Sequence, residues 1–121
     1  MLKSPTKKHP ENKAKIQKIL SSVPYERGFH FFTDTGKYTG ETAINLFSFY
    51  EELKTIEPES VKFHFQRRDP QNWVGSTLGD SELANRIDRI DASLSGENLK
   101  RELFNVVQTR LKELQALWRS P

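Results

Sequence analysis

The longest regular pattern in this sequence is a stripe of apolar residues at helical spacing near the C-terminus. Its members are Leu99, Leu103, Val107, Leu111, Leu114 and Trp118, with Val106 beside them. Spacings of three and four residues predict a single helix over residues 97–118. At about 1.5 Å per residue such a helix is roughly 33 Å long, which is the width of a small domain. The other elements must therefore pack along this helix to cover its apolar face.

Composition narrows the class of protein further. A chain of 121 residues with eight Phe, three Tyr and two Trp can build one small core. The sequence contains no cysteine, which excludes disulfides, thiolate nucleophiles and cysteine-ligated zinc and fits a reducing compartment. No apolar run approaches the length of a bilayer span, and the charged start of the chain lacks the apolar segment of a secretory signal. We therefore expect a cytoplasmic protein that does not enter a membrane.

Positive charge is concentrated at the N-terminus. Residues 1–22 hold six lysines and one glutamate, whereas the remainder holds slightly more acidic than basic side chains. Residues 1–10 also carry two prolines and no apolar periodicity, so we expect a disordered basic leader followed by one domain over residues 11–121. A basic leader on a near-neutral body is a weak signal for nucleic-acid binding, which usually uses a basic face of a folded domain.

The first half of the domain combines one helix with a hairpin. Ile16, Ile19 and Leu20 predict a short amphipathic helix over residues 11–22. Residues 28–34 are rich in β-forming side chains, a turn follows at residues 34–37, and residues 38–43 form a short returning strand. A two-stranded ribbon is marginally stable alone, so it must pack against helices.

Helices dominate the rest of the chain. Asn45 is a good N-cap for a helix that Glu57 and Pro58 terminate. Asp69 is interpreted as the N-cap of a short helix that ends at Gly79, and Asp80 or Ser81 as the cap of the next one. The fold class is accordingly α+β: a single small, mostly helical domain with a short antiparallel sheet or hairpin and a long C-terminal helix.

Residues 58–67 allow two interpretations. Val61, Phe63 and Phe65 alternate with polar residues, which favours a strand. Pro58, in contrast, suits the first turn of a helix, where its missing N–H is not needed. The periodicity alone favours the strand.

An ordered set of short motifs resembles a small prokaryotic family classed as a domain of unknown function. The motifs are Tyr38-Thr39-Gly40, Ala43 with Asn45-Leu46, Phe63-His64, Asp69 with Trp73-Val74, and Leu78-Gly79-Asp80 with Leu83-Ala84. The resemblance covers about residues 29–91, and it implies that the stretch through His64 is helical, so we expect a helix over 58–67. It implies no established activity. This chain departs from the family pattern in its short bridge, residues 65–68, and in having Pro70 where the family prefers an aromatic residue.

One compact polar cluster lies among the aromatic residues. In a helix, His64 and Arg67 are neighbours on one side, and Asp69 and Trp73 begin the next element. Together with Tyr38 they form a candidate site for an anion or a small ligand. The cluster contains no recognisable catalytic motif. The alternative is structural: Asp69 caps its helix, Arg67 pairs with it, and His64 fills a half-buried position.

We expect no metal site and no cofactor, because three histidines in separate segments form no zinc-binding motif and no glycine-rich phosphate loop is present. The leading hypothesis is a non-enzymatic module that binds a protein partner or self-associates. Its candidate interface is on the last helix, at Phe104, Leu114, Leu117 and Trp118. The alternatives are the ligand-binding cluster, with catalysis left open, and nucleic-acid binding through the leader.

Overall fold

A computed structural model of the chain describes residues 5–121, with side chains described from Asn12 onward. The elements in chain order are α1 (Pro5–Leu20), β1 (Phe29–Asp34), β2 (Lys37–Ala43), α2 (Leu46–Leu53), α3 (Pro58–Gln66), α4 (Asp69–Asn72), α5 (Ser81–Asp88) and α6 (Gly96–Arg119). A 3₁₀ turn, Tyr25–Arg27, precedes β1, and a π-helical turn, Trp73–Thr77, continues α4. This is the predicted small, mostly helical α+β domain with a long C-terminal helix.

The two strands form the predicted antiparallel hairpin. His30 lies opposite Thr42 and Phe32 opposite Tyr38, with irregularities in register on both sides of Phe32. Gly36 occupies the tight turn with a φ of 76°, a conformation that glycine adopts without steric cost. Phe29 and Phe31 are buried on the inner face of β1, so the ribbon gains stability from the helices beneath it.

The predicted stripe of the last helix forms one wall of the core. Five of its members are fully or nearly fully buried: Leu99, Leu103, Val107, Leu111 and Leu114. Trp118, in the last turn of the helix, is 43% exposed. Gly96 at the start of α6 brings the helix against α3, since a Cβ there would lie 2.7 Å from the carbonyl oxygen of Pro58.

The helices between the hairpin and α6 follow the predictions except in the extent of α2. Asn45 and Ser48 form a reciprocal capping box at the start of α2, as the N-cap prediction requires. This helix ends at Leu53, before the predicted stop at Glu57 and Pro58. The helical interpretation of residues 58–67 is confirmed, and the strand suggested by alternation is wrong, because Val61 and Phe65 are buried one helical turn apart.

The first helix packs its Ile16 and Ile19 into the core, as its apolar spacing predicted. It begins at Pro5, earlier than the predicted start at residue 11. Residues 1–4, where the predicted basic leader starts, lie outside the described residues, and the disordered leader stays a prediction. Of the helices within residues 5–121, none combines the length and the apolar character needed to cross a bilayer.

Candidate ligand-binding cleft

A cleft of about 610 Å³ opens between β1, α3 and the segment formed by α4 and the π-helical turn. Its walls are mainly aromatic: Phe29, His30, Phe32, Phe63, His64 and Trp73. Polar side chains from these segments and from the turn after β1 also line it: Thr35, Arg67, Asp69, Asn72, Ser76 and Thr77. Volume and lining are typical of small-molecule sites, which combine apolar walls with a few polar groups.

The sequence cluster converges here. His64, Arg67, Asp69 and Trp73 all line the cleft, although they come from separate elements. Tyr38, on β2, does not line the cleft and is 42% exposed. The structure thus brings four of the five candidate residues together, while their role in binding stays a prediction.

His64 is fixed at both ring nitrogens. The backbone N–H of Phe32 donates to Nε2 at 2.8 Å, and Nδ1 lies 2.8 Å from the carboxylate of Asp69. Because Nε2 accepts a hydrogen bond, the proton of the neutral ring is on Nδ1, which donates to Asp69. Burial lowers the pKa of His64, and its hydrogen bond to Asp69 opposes that shift. The ring is therefore held neutral and offers the cleft its edge, with no free nitrogen.

Asp69 joins His64 to Arg67. Its Oδ2 accepts from His64 Nδ1 and also from Arg67 Nε at 3.1 Å. The guanidinium lies 5.3 Å from the centre of the Phe63 ring, a cation–π distance. Its two terminal nitrogens make no hydrogen bond with any described residue, and 59% of the side chain is exposed. Arg67 therefore places a cation at the rim of the cleft. Asp69 and the Phe63 ring fix its position, while its terminal nitrogens have no partner among the described residues.

The prediction that Asp69 is an N-cap is wrong. Asp69 is the first helical residue of α4, its side chain makes no cap hydrogen bond, and the N-cap position is held by Arg68. Arg68 has a left-handed backbone with a φ of 63°. Among residues 5–121 it is the one residue other than glycine whose φ is positive. Such a conformation costs about 1–2 kcal/mol in a residue with a Cβ. The sharp corner it makes turns both Arg67 and Asp69 toward the cleft, and backbone strain of this kind clusters at functional sites.

A second backbone irregularity forms the opposite side of the cleft. Leu78 N–H donates to the carbonyl of Trp73 at 3.1 Å, five residues back, which defines the π-helical turn. Trp73 anchors this turn by donating its indole N–H to the carbonyl of Arg27 at 2.9 Å. The wider turn places Ser76 and Thr77 along the lining together with Trp73. Turns of this type recur at functional sites because they redirect side chains within a helix.

Sequence reasoning missed His30 as a lining residue. Its Nδ1 lies 2.8 Å from the hydroxyl of Thr42, its partner across the ribbon. The signal was present in the alternation of Phe29, His30 and Phe31, which places His30 on the face opposite the two buried rings. The missing information was tertiary, because α3 and the π-helical turn are what make that face one wall of a cleft.

The candidate interface on α6 is divided between core and surface. Leu114 is 1% exposed and belongs to the core, so it offers no surface to a partner. Phe104 is half-buried and stacks on Tyr50 with ring centres 5.1 Å apart. Leu117 and Trp118 remain 49% and 43% exposed, and Lys13 of α1 donates to the carbonyl of Trp118 at 2.7 Å.

Within residues 12–121, no three histidine or acidic side chains converge in a way that could hold a metal ion. The sequence model of a family of unknown function, DUF5752, matches residues 26–121, which include every residue of the cleft. No curated protein matches the chain, and no solved structure matches it either.

Proposed function

The chain belongs to DUF5752, a family of unknown function, and from the geometry of the cleft we propose that it binds a small aromatic ligand carrying an anionic group. The single observation that carries this proposal is the convergence of six aromatic rings and one partly satisfied guanidinium around about 610 Å³. Aromatic walls favour a flat ring through stacking and edge contacts. The terminal nitrogens of Arg67 match the geometry of a carboxylate or a phosphate.

The surrounding contacts support a site prepared before binding. Asp69 holds Arg67 Nε, and the Phe63 ring lies beneath the guanidinium, so the cation loses little freedom when a ligand arrives. Asn72, Ser76 and Thr77 make no side-chain hydrogen bonds with other described residues, which leaves polar groups for orientation. The strained corner at Arg68 is consistent with a backbone shaped for this arrangement rather than for stability alone.

The proposal is tested with benzoate as the probe. Trp118→Phe leaves Trp73 as the one tryptophan, so a single indole N–H signal in NMR spectra reports on the cleft. Benzoate should shift that signal in a saturable way, with half-saturation below about 10 mM. Benzyl alcohol, which lacks the charge, and cyclohexanecarboxylate, which lacks the ring, should both bind more weakly. Arg67→Gln should weaken benzoate, whereas the matched control Arg101→Gln, an exposed arginine of α6, should not. Absence of saturation, or equal losses in both variants, contradicts the proposal.

A second candidate function is association through the end of α6, favoured by the exposure of Leu117 and Trp118 next to each other. Exposed large apolar side chains at the end of a helix can be covered by a second chain of this protein. Sedimentation velocity should then show a dimer that Leu117→Gln converts to a monomer. A wild-type chain that stays monomeric up to high concentration removes this candidate.

We also propose that the protein is cytoplasmic and that it binds its ligand without transforming it. A cytoplasmic location is supported by the complete absence of cysteine, which fits a reducing compartment. Binding rather than catalysis at His64 is supported by its two ring nitrogens, which are both engaged and cannot exchange a proton without breaking a contact of the fold. Nucleic-acid binding through the basic N-terminal segment, residues 3–18, finds no support in the described residues and stays a prediction.

A further inference from the structure

Two histidines line the cleft, and their hydrogen bonds differ. His64 uses Nε2 for the backbone of Phe32 and Nδ1 for Asp69. His30 uses Nδ1 for the hydroxyl of Thr42, and its Nε2 makes no hydrogen bond with any residue the structure describes. Of these two rings, only that of His30 therefore has a nitrogen available to a ligand.

The engaged nitrogen of His30 is the end of a chain of hydroxyl groups. The Thr42 hydroxyl lies 2.5 Å from the hydroxyl of Tyr38, which in turn lies 3.0 Å from the hydroxyl of Tyr25. Tyr25 and Tyr38 are 58% and 42% exposed, so the chain reaches solvent. The ring of Tyr25 also contacts the His30 ring, with centres 4.9 Å apart.

Each hydroxyl in this chain can donate or accept, so all of its hydrogen bonds can reverse together. When Thr42 donates to Nδ1 of His30, the neutral ring carries its proton on Nε2, which is then a donor. When Nδ1 donates to Thr42, Nε2 is an acceptor. Either state satisfies every group in the chain and neither changes the net charge. The cleft therefore contains a nitrogen that can adapt its hydrogen-bonding direction to a ligand.

We propose that His30 is the specificity-determining contact of the cleft and that its Nε2 binds a hydroxyl group on the ring of an aromatic anion. This inference rests on the proposed function: Arg67 takes the anionic group, and His30 takes the hydroxyl. Thr42 and Tyr38 are positioning residues, because they fix the His30 ring and set the direction of its hydrogen bond without touching the ligand. The candidate residue Tyr38 thus acts on the cleft from outside it.

The test compares ring substituents in matched pairs. The three hydroxybenzoate isomers and their methoxy counterparts are titrated into the Trp118→Phe protein and followed by the indole signal of Trp73. One hydroxybenzoate should bind about tenfold more tightly than its methoxy counterpart, which is the upper range for a single hydrogen bond. His30→Phe should abolish that preference, so that the hydroxybenzoate and its methoxy counterpart bind this variant with affinities within about twofold of each other.

Two variants of the hydroxyl chain separate hydrogen bonding from shape. Thr42→Val removes the partner of Nδ1 and should reduce the preference for the hydroxyl, and Thr42→Ser should restore it. The ¹⁵N signal of His30 Nε2 should move when the preferred hydroxybenzoate binds and stay in place with its methoxy counterpart. If His30→Phe does not fold, the Thr42 pair and the ¹⁵N signal still decide the question.

The outcomes distinguish the two proposals. If benzoate binds and no isomer shows a preference that depends on His30, the inference about His30 is wrong and the proposed function stands. If benzoate and all its derivatives fail to bind, the proposed function fails. A preference that survives both His30→Phe and Thr42→Val assigns the contact to another lining residue and overturns the inference.

Discussion

Two polar clusters in this molecule use the same residue types in different ways. Between α5 and α6, Arg110 donates two hydrogen bonds to the buried carboxylate of Asp80 and a third to Glu113. Arg86 donates two to Glu113 and one to Glu82. In the cleft, by contrast, Arg67 has one nitrogen engaged by Asp69 and the others without a partner among the described residues. Every side-chain nitrogen of Arg86 and Arg110 therefore donates a hydrogen bond, whereas Arg67 is fixed by a single one.

This difference separates groups that hold the fold from groups that remain able to bind. Asp80 is 1% exposed and also caps α5 by accepting from the backbone of Leu83 at 3.1 Å. A carboxylate so deeply placed requires all of its partners, because an unpaired buried charge is strongly destabilising. Arg67 is mostly exposed, and its pair with Asp69 contributes little to stability. Arg67 can therefore be replaced with little effect on folding, whereas Arg110 cannot.

The largest effect should follow from Arg110→Met. Removal of the guanidinium leaves Asp80 buried without its main partner, so the free energy of unfolding should fall by about 3–5 kcal/mol. Chemical denaturation measures this directly. The matched variant Arg67→Met should lower it by less than about 1 kcal/mol. Similar losses in the two variants would remove the distinction between the clusters.

Arg67→Met should impair ligand binding, although it has little effect on stability. Benzoate should bind about tenfold more weakly, or worse, because a charge-assisted hydrogen bond to the anion is lost. Arg110→Met, studied where it remains folded, should bind benzoate with nearly wild-type affinity. NMR titration in the Trp118→Phe background gives both values, and weakened binding in the Arg110 variant would show that the two regions are coupled.

Low pH should reveal the contribution of His64, which lines the cleft and also stabilises the fold through its bond to Phe32. Burial lowers the pKa of His64 below its ordinary 6.5, so the unfolded chain binds the proton more readily than the folded one. The free energy of unfolding should therefore fall as pH drops below about 6.5, by up to about 1.4 kcal/mol for each unit of pKa difference. Denaturation curves at pH 7.5 and 5.5 measure the fall, and His64→Gln should largely flatten it. An unchanged slope in His64→Gln would assign the effect elsewhere.

The smallest effect concerns the corner at Arg68. Arg68→Gly and Arg68→Ala both remove the exposed pair with Asp88, but only glycine adopts the left-handed backbone freely. The glycine variant should therefore be more stable than the alanine variant by about 1 kcal/mol. Thermal unfolding of the two proteins tests this, and equal stability would mean that the corner stores no strain.

Much of the fold could be predicted from periodicity and local signals. The stripe of α6, the hairpin around Gly36 and the Asn45 cap depend on neighbours in sequence, and the structure confirms each of them. Periodicity alone favours the wrong element at residues 58–67, because Val61, Phe63 and Phe65 alternate with polar residues as in a strand. The resemblance to a family resolved that ambiguity toward the helix.

The candidate site could be predicted only in part. His64, Arg67 and Asp69 are close in sequence, so their convergence followed from helical spacing. Asp69 was misinterpreted because an Asp-Pro pair commonly starts a helix, whereas here the carboxylate is drawn to His64 and Arg67 instead. His30 joins the cleft only through the packing of β1 against α3. No local pattern contains that information.

The contact between Phe32 and His64 also satisfies a backbone donor at the edge of β1 that does not face β2. The N–H of Phe32 points away from β2, and the imidazole accepts it as a neighbouring strand's carbonyl would. Protonation turns that acceptor into a second donor and forces the two groups apart. Acid below the lowered pKa of His64 would then free this backbone donor at the edge of β1, to which an extended chain from another molecule can add. Light scattering should rise for the wild-type protein as the pH falls well below 6.5 and remain low for a His64→Gln protein, whose amide oxygen can still accept the bond.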